Sequence, residues 1–236
     1  MSTRAILPVK VSLTAGDFYT LWAPTWKEKG SEWQAFLGDD ESVLAFHSPE
    51  ELLVFLNTTA QHDLTDHPKW ADFQAQGDDR VVPSEKQYYD IVGAPNFLAD
   101  RPSHGNVSQL SRVLQLSRSL AEVANAEQAQ IFFASHSILA NVARGSEHYS
   151  GDAGLDEWSG VGRVVLANWE NVVHSLDGAV RVVETNELDA DAVASAGTAI
   201  TAAQEERARR REEQQKQEVA QLSLIHISEP TRQAEI

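Results

Sequence analysis

From Ile6 to Leu13 apolar and polar residues alternate, and this period of two predicts a strand with Pro8 at an edge or a start. Glu32–Leu37 and Ser42–Phe46 are two further short apolar runs. The acidic stretch Gly38-Asp-Asp-Glu41 between them has the composition of a turn joining a hairpin. At Ser48 the period becomes helical. Ser48 can cap, Pro49 suits the first helical position, Glu51 completes a capping box, and Leu52, Leu53, Phe55 and Leu56 form an apolar stripe. Phe46 to Leu56 therefore reads as a compact strand-helix unit.

Pro68, Gly77, Pro83, Gly93 and Pro95 interrupt the next stretch, leaving a short helix from Pro68 to Ala75 with Trp70 and Phe73 on one side. From Ser103 the pattern is helical. Val107, Leu110, Val113, Leu114 and Leu116 to Val123 fit one long amphipathic helix capped by Ser103 or Asn106. Ile131 to Ala134 with Ile138, Leu139 and Val142 give a second helix, and Leu155 to Val173, running on toward Leu176 and Val180, a third. A polar, glycine-rich linker, Arg144 to Gly154, separates these two. The economical architecture is α+β, a small antiparallel or mixed sheet with a three-helix C-terminal half, forming one domain over residues 1–185.

After Thr185 bulky apolar residues become scarce, and Glu205 to Lys216 is almost entirely Glu, Arg and Gln. Helix propensity there is high and there is little to bury, which predicts a charged helical or disordered tail over residues 186–221. Leu222 to Arg232 reads residue for residue as the translation of a transposase-type sequencing adapter. Residues 222–236 are accordingly expected to be non-native, and the chain to be an interrupted piece of a longer protein.

The 236 residues are 42% hydrophobic and carry a net charge of −16. Such a field repels nucleic acid and anionic lipid, since counterion release requires clustered cations. There is no cysteine, which removes disulfides and thiolate chemistry. The N-terminus is too weakly apolar for a secretory signal and no run spans a bilayer, so the expected location is cytoplasmic, with no membrane partner.

Candidate chemistry is thin. His62 and His67, with Asp63 and Asp66 between them, are able to hold a metal if the loop folds back, but the spacing suits a turn in which Asp66 caps and Pro68 starts the next helix. Arg144, Glu147, His148, Asp152 and Asp156 form a polar loop without a recognisable acid-base pair. Ser135-His136-Ser137 lacks a nucleophile elbow, and no phosphate-cradling glycine motif occurs. The chain thus reads as non-enzymatic, with no cofactor. Tryptophan is the more informative excess. Trp22, Trp26 and Trp33 lie within twelve residues, and Tyr149 and Trp158 flank a polar loop. These rings either cover a core or anchor a partner, and they are the candidate binding residues.

The segment Leu7 to Trp26, with Glu32-Trp-Gln-Ala-Phe-Leu-Gly38 and Asp63-Leu-Thr-Asp-His-Pro68, resembles an actinobacterial family of undefined function often labelled "primosomal protein", over about residues 5–185. Longer relatives are similar to an accessory chaperone of the mycobacterial alternative Sec export pathway. That likeness implies that this chain is the N-terminal, adaptor half of such a protein. The expected function is a protein-interaction or accessory chaperone module whose partner offers an apolar or basic segment. One alternative is a replication-associated nucleic-acid partner using Lys10, Lys27, Lys29 and Arg80. The other is a metal-dependent hydrolase using His62 and His67.

Overall fold

The computed structural model describes residues 5–28, 30–39 and 42–227, with side chains described to residue 219 except those of residues 26–28. Its strands are β1 (Leu7–Leu13), β2 (Gly16–Glu28), β3 (Ser31–Phe36), β4 (Val43–Ala45), β5 (Tyr88–Asp90) and β6 (Val180–Val182). Its α-helices are α1 (Pro49–Thr58), α2 (Trp70–Gln74), α3 (His104–Val123), α4 (Glu127–Ser135), α5 (Gly151–Asp177) and α6 (Ala190–Ile227). The class is α+β, as the residue pattern implies.

β1 turns through Thr14 and Ala15 into β2, pairing from Leu7 with Trp22 to Leu13 with Gly16. Gly16 has φ +140°, which side chains rarely adopt, so this turn requires glycine. β3 adds antiparallel to β2 and β5 adds parallel to β1, giving a mixed sheet ordered β3-β2-β1-β5. The hairpin expected between residues 32–37 and 42–46 forms only at its base, where Gly38 bridges Val43 and the Leu44 N–H donates to the Leu37 carbonyl at 2.8 Å. β4 then takes β6 as a parallel partner. All three of its residues are buried, as befits a strand covered on both faces.

The central sheet is covered on both sides as well. Val9, Val11, Phe18, Trp22 and Phe36 pack with apolar residues of α3, α4 and α5. Leu21, Ala23, Leu37 and Phe46 pack with Leu52 and Leu53 of α1, with α2, and with Ala196 and Ile200 of α6. The capping residues of α1 and α3 fall where the sequence puts them. In α3, Ser103 Oγ accepts the Asn106 N–H and Asn106 Oδ1 accepts the Ser103 N–H, at 3.3 and 2.7 Å. In α1, Ser48 Oγ accepts the Glu51 N–H at 3.2 Å, but Glu51 Oε2 accepts the His47 N–H at 2.9 Å, one residue before the capping-box position. The other oxygen of buried Glu51 accepts the Thr185 hydroxyl at 2.8 Å, tying α1 to the chain beyond β6.

Three predicted boundaries shift. The helix expected to run from Ile131 to Val142 stops at Ser135, because His136 leaves the helical region (φ −121°, ψ 76°) and its Nδ1–H donates to the Phe132 carbonyl at 2.8 Å. Residues Ser137–Arg144 continue as a 3-10 helix. Val180, read as the end of the third helix, lies in β6. Past Thr185 the chain is helical, and its first half is packed: Gly197 lies close enough to Glu50 that an added Cβ would meet Glu50 Cγ at 3.5 Å. The small residues that seem to offer little to bury are what let α6 approach α1. Arg207 then pairs at 2.8 Å with Asp79, which is only 5% exposed, so the packed body reaches at least Arg207. Residues 228–236 of the adapter-like segment lie outside the described residues.

Glu51→Ala leaves the His47 N–H and the Thr185 hydroxyl without their acceptor and should lower unfolding free energy by about 2 kcal/mol or more in urea titration. Deleting residues 222–236, which the sequence reads as adapter-derived, should leave the melting temperature unchanged in a calorimetric scan.

Candidate functional site

The three early tryptophans have different positions. Trp22 is 4% exposed, stacked on Phe36 with centroids 5.9 Å apart and edge-on to Tyr89, and its indole N–H has no acceptor among the described residues. It belongs to the core because β2 directs it with Phe18 toward the helices of the α3–α5 layer. Trp26 and Trp33 are cross-strand partners in β2 and β3, and the side chain of Trp26 lies outside the described residues. Trp33 is 54% exposed and is the ring of this group seen to face solvent. The structure therefore does not assemble a groove from all three.

Tyr149 and Trp158, expected as a second surface, are buried and pack edge to face at 4.9 Å. The cause is the tight entry into α5. A Cβ on Gly154 would lie 2.3 Å from the Tyr149 backbone, so the first turn of α5 folds directly over the 3-10 helix Ser146–Tyr149. Burial pushes the Tyr149 phenol up to about 12, with a further contribution from the Glu157 charge. His148 Nε2 meets Glu157 at 3.0 Å, and the Asn141 amide donates to the same carboxylate at 2.7 Å. The hydrogen bond from His148, then that from Asn141, holds the Glu157 carboxyl below its ordinary range. The acid that partners His148 is thus Glu157, which lies outside the loop residues Glu147, Asp152 and Asp156 named from the sequence.

His62 and His67 act as turn fixings. Each accepts a backbone N–H at Nδ1, from Leu64 at 3.2 Å and from Lys69 at 3.0 Å, and His62 packs edge-on against Trp70. Among the described residues no group of three or more His, Cys, Asp or Glu side chains converges as a metal site. Asp66 does not cap α2; Lys69 occupies that position, without a side-chain bond. Of the four basic residues expected to form a patch, the two with described side chains are each paired with a carboxylate. Lys10 pairs with Asp17 at 2.7 Å, which raises its pKa, and Arg80 pairs with Asp78. The Lys27 side chain and Lys29 lie outside the described residues.

The exposed apolar surface sits elsewhere, astride α5. The indole N–H groups of Trp158 and Trp169 donate to the Asp100 and Ile91 carbonyls at 3.0 and 2.7 Å, pinning the segment 91–100, with its 3-10 helix Ala94–Leu98, along the helix. Val92 and Pro95 of that segment, with Leu166 and Val173 of α5, line a hollow of about 560 Å³. Across the helix, Ile131 and Phe132 of α4 with Val172 line another of about 440 Å³. Both hollows share Asn171 and His174, so they adjoin along one helical flank. Leu166 is 71% and Ile131 50% exposed. Glu170 and Asp177 edge the first hollow, and neither is lined by a lysine or arginine among the described residues. Sequence reading missed Leu166. Its signal was an apolar residue beside Val165 that falls off the buried stripe of α5.

Such an arrangement suits apolar contact with negative rims. A family model described as the SatS C-terminal domain matches residues 6–177. A solved structure titled as the crystal structure of the SatS C-terminal domain in complex with bromine is similar at 18% identity, with a TM-score of 0.51, over 76% of this chain and 94% of that one. No curated protein matches. The export-linked resemblance is upheld in part, but the matching portion is a C-terminal domain, which corrects the N-terminal half implied above.

The Tyr149 hydroxyl is buried with no hydrogen-bond partner among the described residues, so Tyr149→Phe should leave stability at pH 7 unchanged or raise it by up to about 1 kcal/mol. Because the folded-state pKa exceeds the unfolded one, the wild-type contribution is complete below pH 10 and fades as pH rises to about 12. Urea titrations at successive alkaline pH values should therefore show a shallower loss in the variant.

Proposed function

The chain belongs to the SatS C-terminal domain family, and we propose that it is a non-enzymatic, cytoplasmic accessory module of protein export that holds an extended segment of a client polypeptide along α5. The family's standing among accessory Sec-related export chaperones supports the export setting. The observation that carries the binding site is the pair of adjoining apolar hollows with Leu166 and Ile131 exposed at their edges. Leucine-sized client side chains fit such hollows by area alone, which gives breadth of recognition without fixed chemistry. The rim supplies the second element. Glu170 and Asp177 favour a client segment carrying lysine or arginine, and the net charge of −16 steers such segments inward while repelling nucleic acid. Trp33 at the far edge strand is a further proposed contact, with Trp26 beside it in register and Trp22 fixing β2 from within.

A labelled peptide alternating leucine and lysine tests this in fluorescence anisotropy with the whole chain. Replacing both Leu166 and Ile131 by asparagine should weaken binding about tenfold or more, since each removes exposed apolar contact at the hollows and leaves their charge unchanged. Unchanged affinity in that variant, with loss in Trp33→Ala, would move the site to the strand edge and overturn the assignment to α5.

A further inference from the structure

On the opposite side of the sheet, the start of β1, the segment 78–87 with its two 3-10 turns, and α6 enclose a cleft of about 550 Å³. One wall is apolar, formed by Ile6, Leu7, Pro8, Val82 and Pro83. The other carries Arg80, Arg207 and Arg211, with the Gln204 amide among them. Three guanidinium groups meet here on a chain whose net charge is −16. Asp79 is the one carboxylate among the lining residues, and Arg207 already pairs with it at 2.8 Å. Asp78, outside the lining, accepts from Arg80 Nη1 at 3.1 Å. Arg211 makes no ion pair with any described residue.

Arg80 is the most constrained of the three. Its side chain is 8% exposed, held by Asp78 and by Asn57 Oδ1 at 3.2 Å, and its buried Nε–H has no acceptor among the described residues. A buried charged donor without an acceptor is costly unless something supplies one. Gln87 Oε1 is occupied by the backbone N–H and hydroxyl of Ser84, at 2.7 and 2.8 Å, so at Gln87 the amide donors are the groups left to offer. Donors and cations thus predominate on one side and aliphatic carbon on the other.

We propose that this cleft binds a small organic oxyanion, a carboxylate or phosphate on an apolar body. The anionic head meets Arg211 and the open side of Arg207, and the body lies against Leu7, Pro8 and Val82. Because α6 supplies two of the three arginines, the ligand also fastens that helix to the body. The site is independent of α5 and of the client reading.

Isothermal titration of the whole chain at low salt with phenyl phosphate, phenylacetate and inorganic phosphate tests it. One phenyl compound should bind at one per chain, identifying the head group as phosphate or carboxylate, and inorganic phosphate should bind more weakly than that compound. Arg211→Ala, which keeps a strong helix former in α6, should weaken the binding about tenfold or more, while Arg118→Ala on α3 should leave it unchanged. Absence of saturable binding for both phenyl compounds, inorganic phosphate binding as tightly as the phenyl compound that binds, or equal losses in the two variants would overturn the proposal.

Discussion

The β1–β2 hairpin lies at the centre of the molecule with both faces apolar, and no other part of the fold can be placed without it. Leu21 and Ala23 point one way and Phe18 and Trp22 the other, all buried, so two separate layers must cover the sheet. Neither layer suffices alone. If α3, α4 and α5 were absent, the Val9, Val11 and Phe18 face would meet water; if α1, α2 and α6 were absent, the Leu21 and Leu37 face would. The long-range tie from Glu51 to Thr185 and the parallel pair of β4 with β6 bring the end of the α5 layer back to the α1 side. The chain thus closes around its own hairpin.

This arrangement explains why aromatic rings and accessible surface part company. In α5 the two tryptophans face inward, where each indole N–H finds a carbonyl of the segment 91–100. That segment, fixed by the indoles, becomes the wall of a hollow whose exposed apolar residues, Val92 and Leu166, are aliphatic. A ring with an N–H to satisfy is well used as an interior fixing, whereas Leu166 carries no such group and sits at the surface without a polar demand. The aromatic residues therefore shape the candidate surface from beneath.

Much of the fold was legible because it rests on local physics. Ser103 and Asn106, Ser48 and Pro49, and the apolar stripe of α3 act within one or two turns, and the structure places them where the spacing does. What was not legible depends on distant chain. β4 is three residues long, and its choice of β6 over β3 is made by a segment more than 130 residues away. The break at His136 depends on a side chain competing for a helical carbonyl, which periodicity does not encode. The fate of Tyr149 and Trp158 turned on Gly154, whose missing side chain permits the fold-over that buries both. The candidate surface was legible in kind, as apolar area on an acidic protein, but not in place, since rings were weighed above an off-stripe leucine.

Charge completes the picture by separating two kinds of surface. Along α5 the hollow beside Leu166 is edged by Glu170 and Asp177, and neither hollow is lined by a lysine or arginine among the described residues, so apolar contact there is coupled to attraction for positive groups. Across the sheet, the arginines of α6 and Arg80 gather beside an apolar wall, and the coupling has the opposite sign. Solvent and salt screen exposed charges over about 10 Å, so two patches on opposite sides of a two-layered sheet act independently despite the common net charge. A single acidic chain can in this way present complementary surfaces to a basic polypeptide and to a small anion, because local lining rather than overall composition decides what each recess accepts.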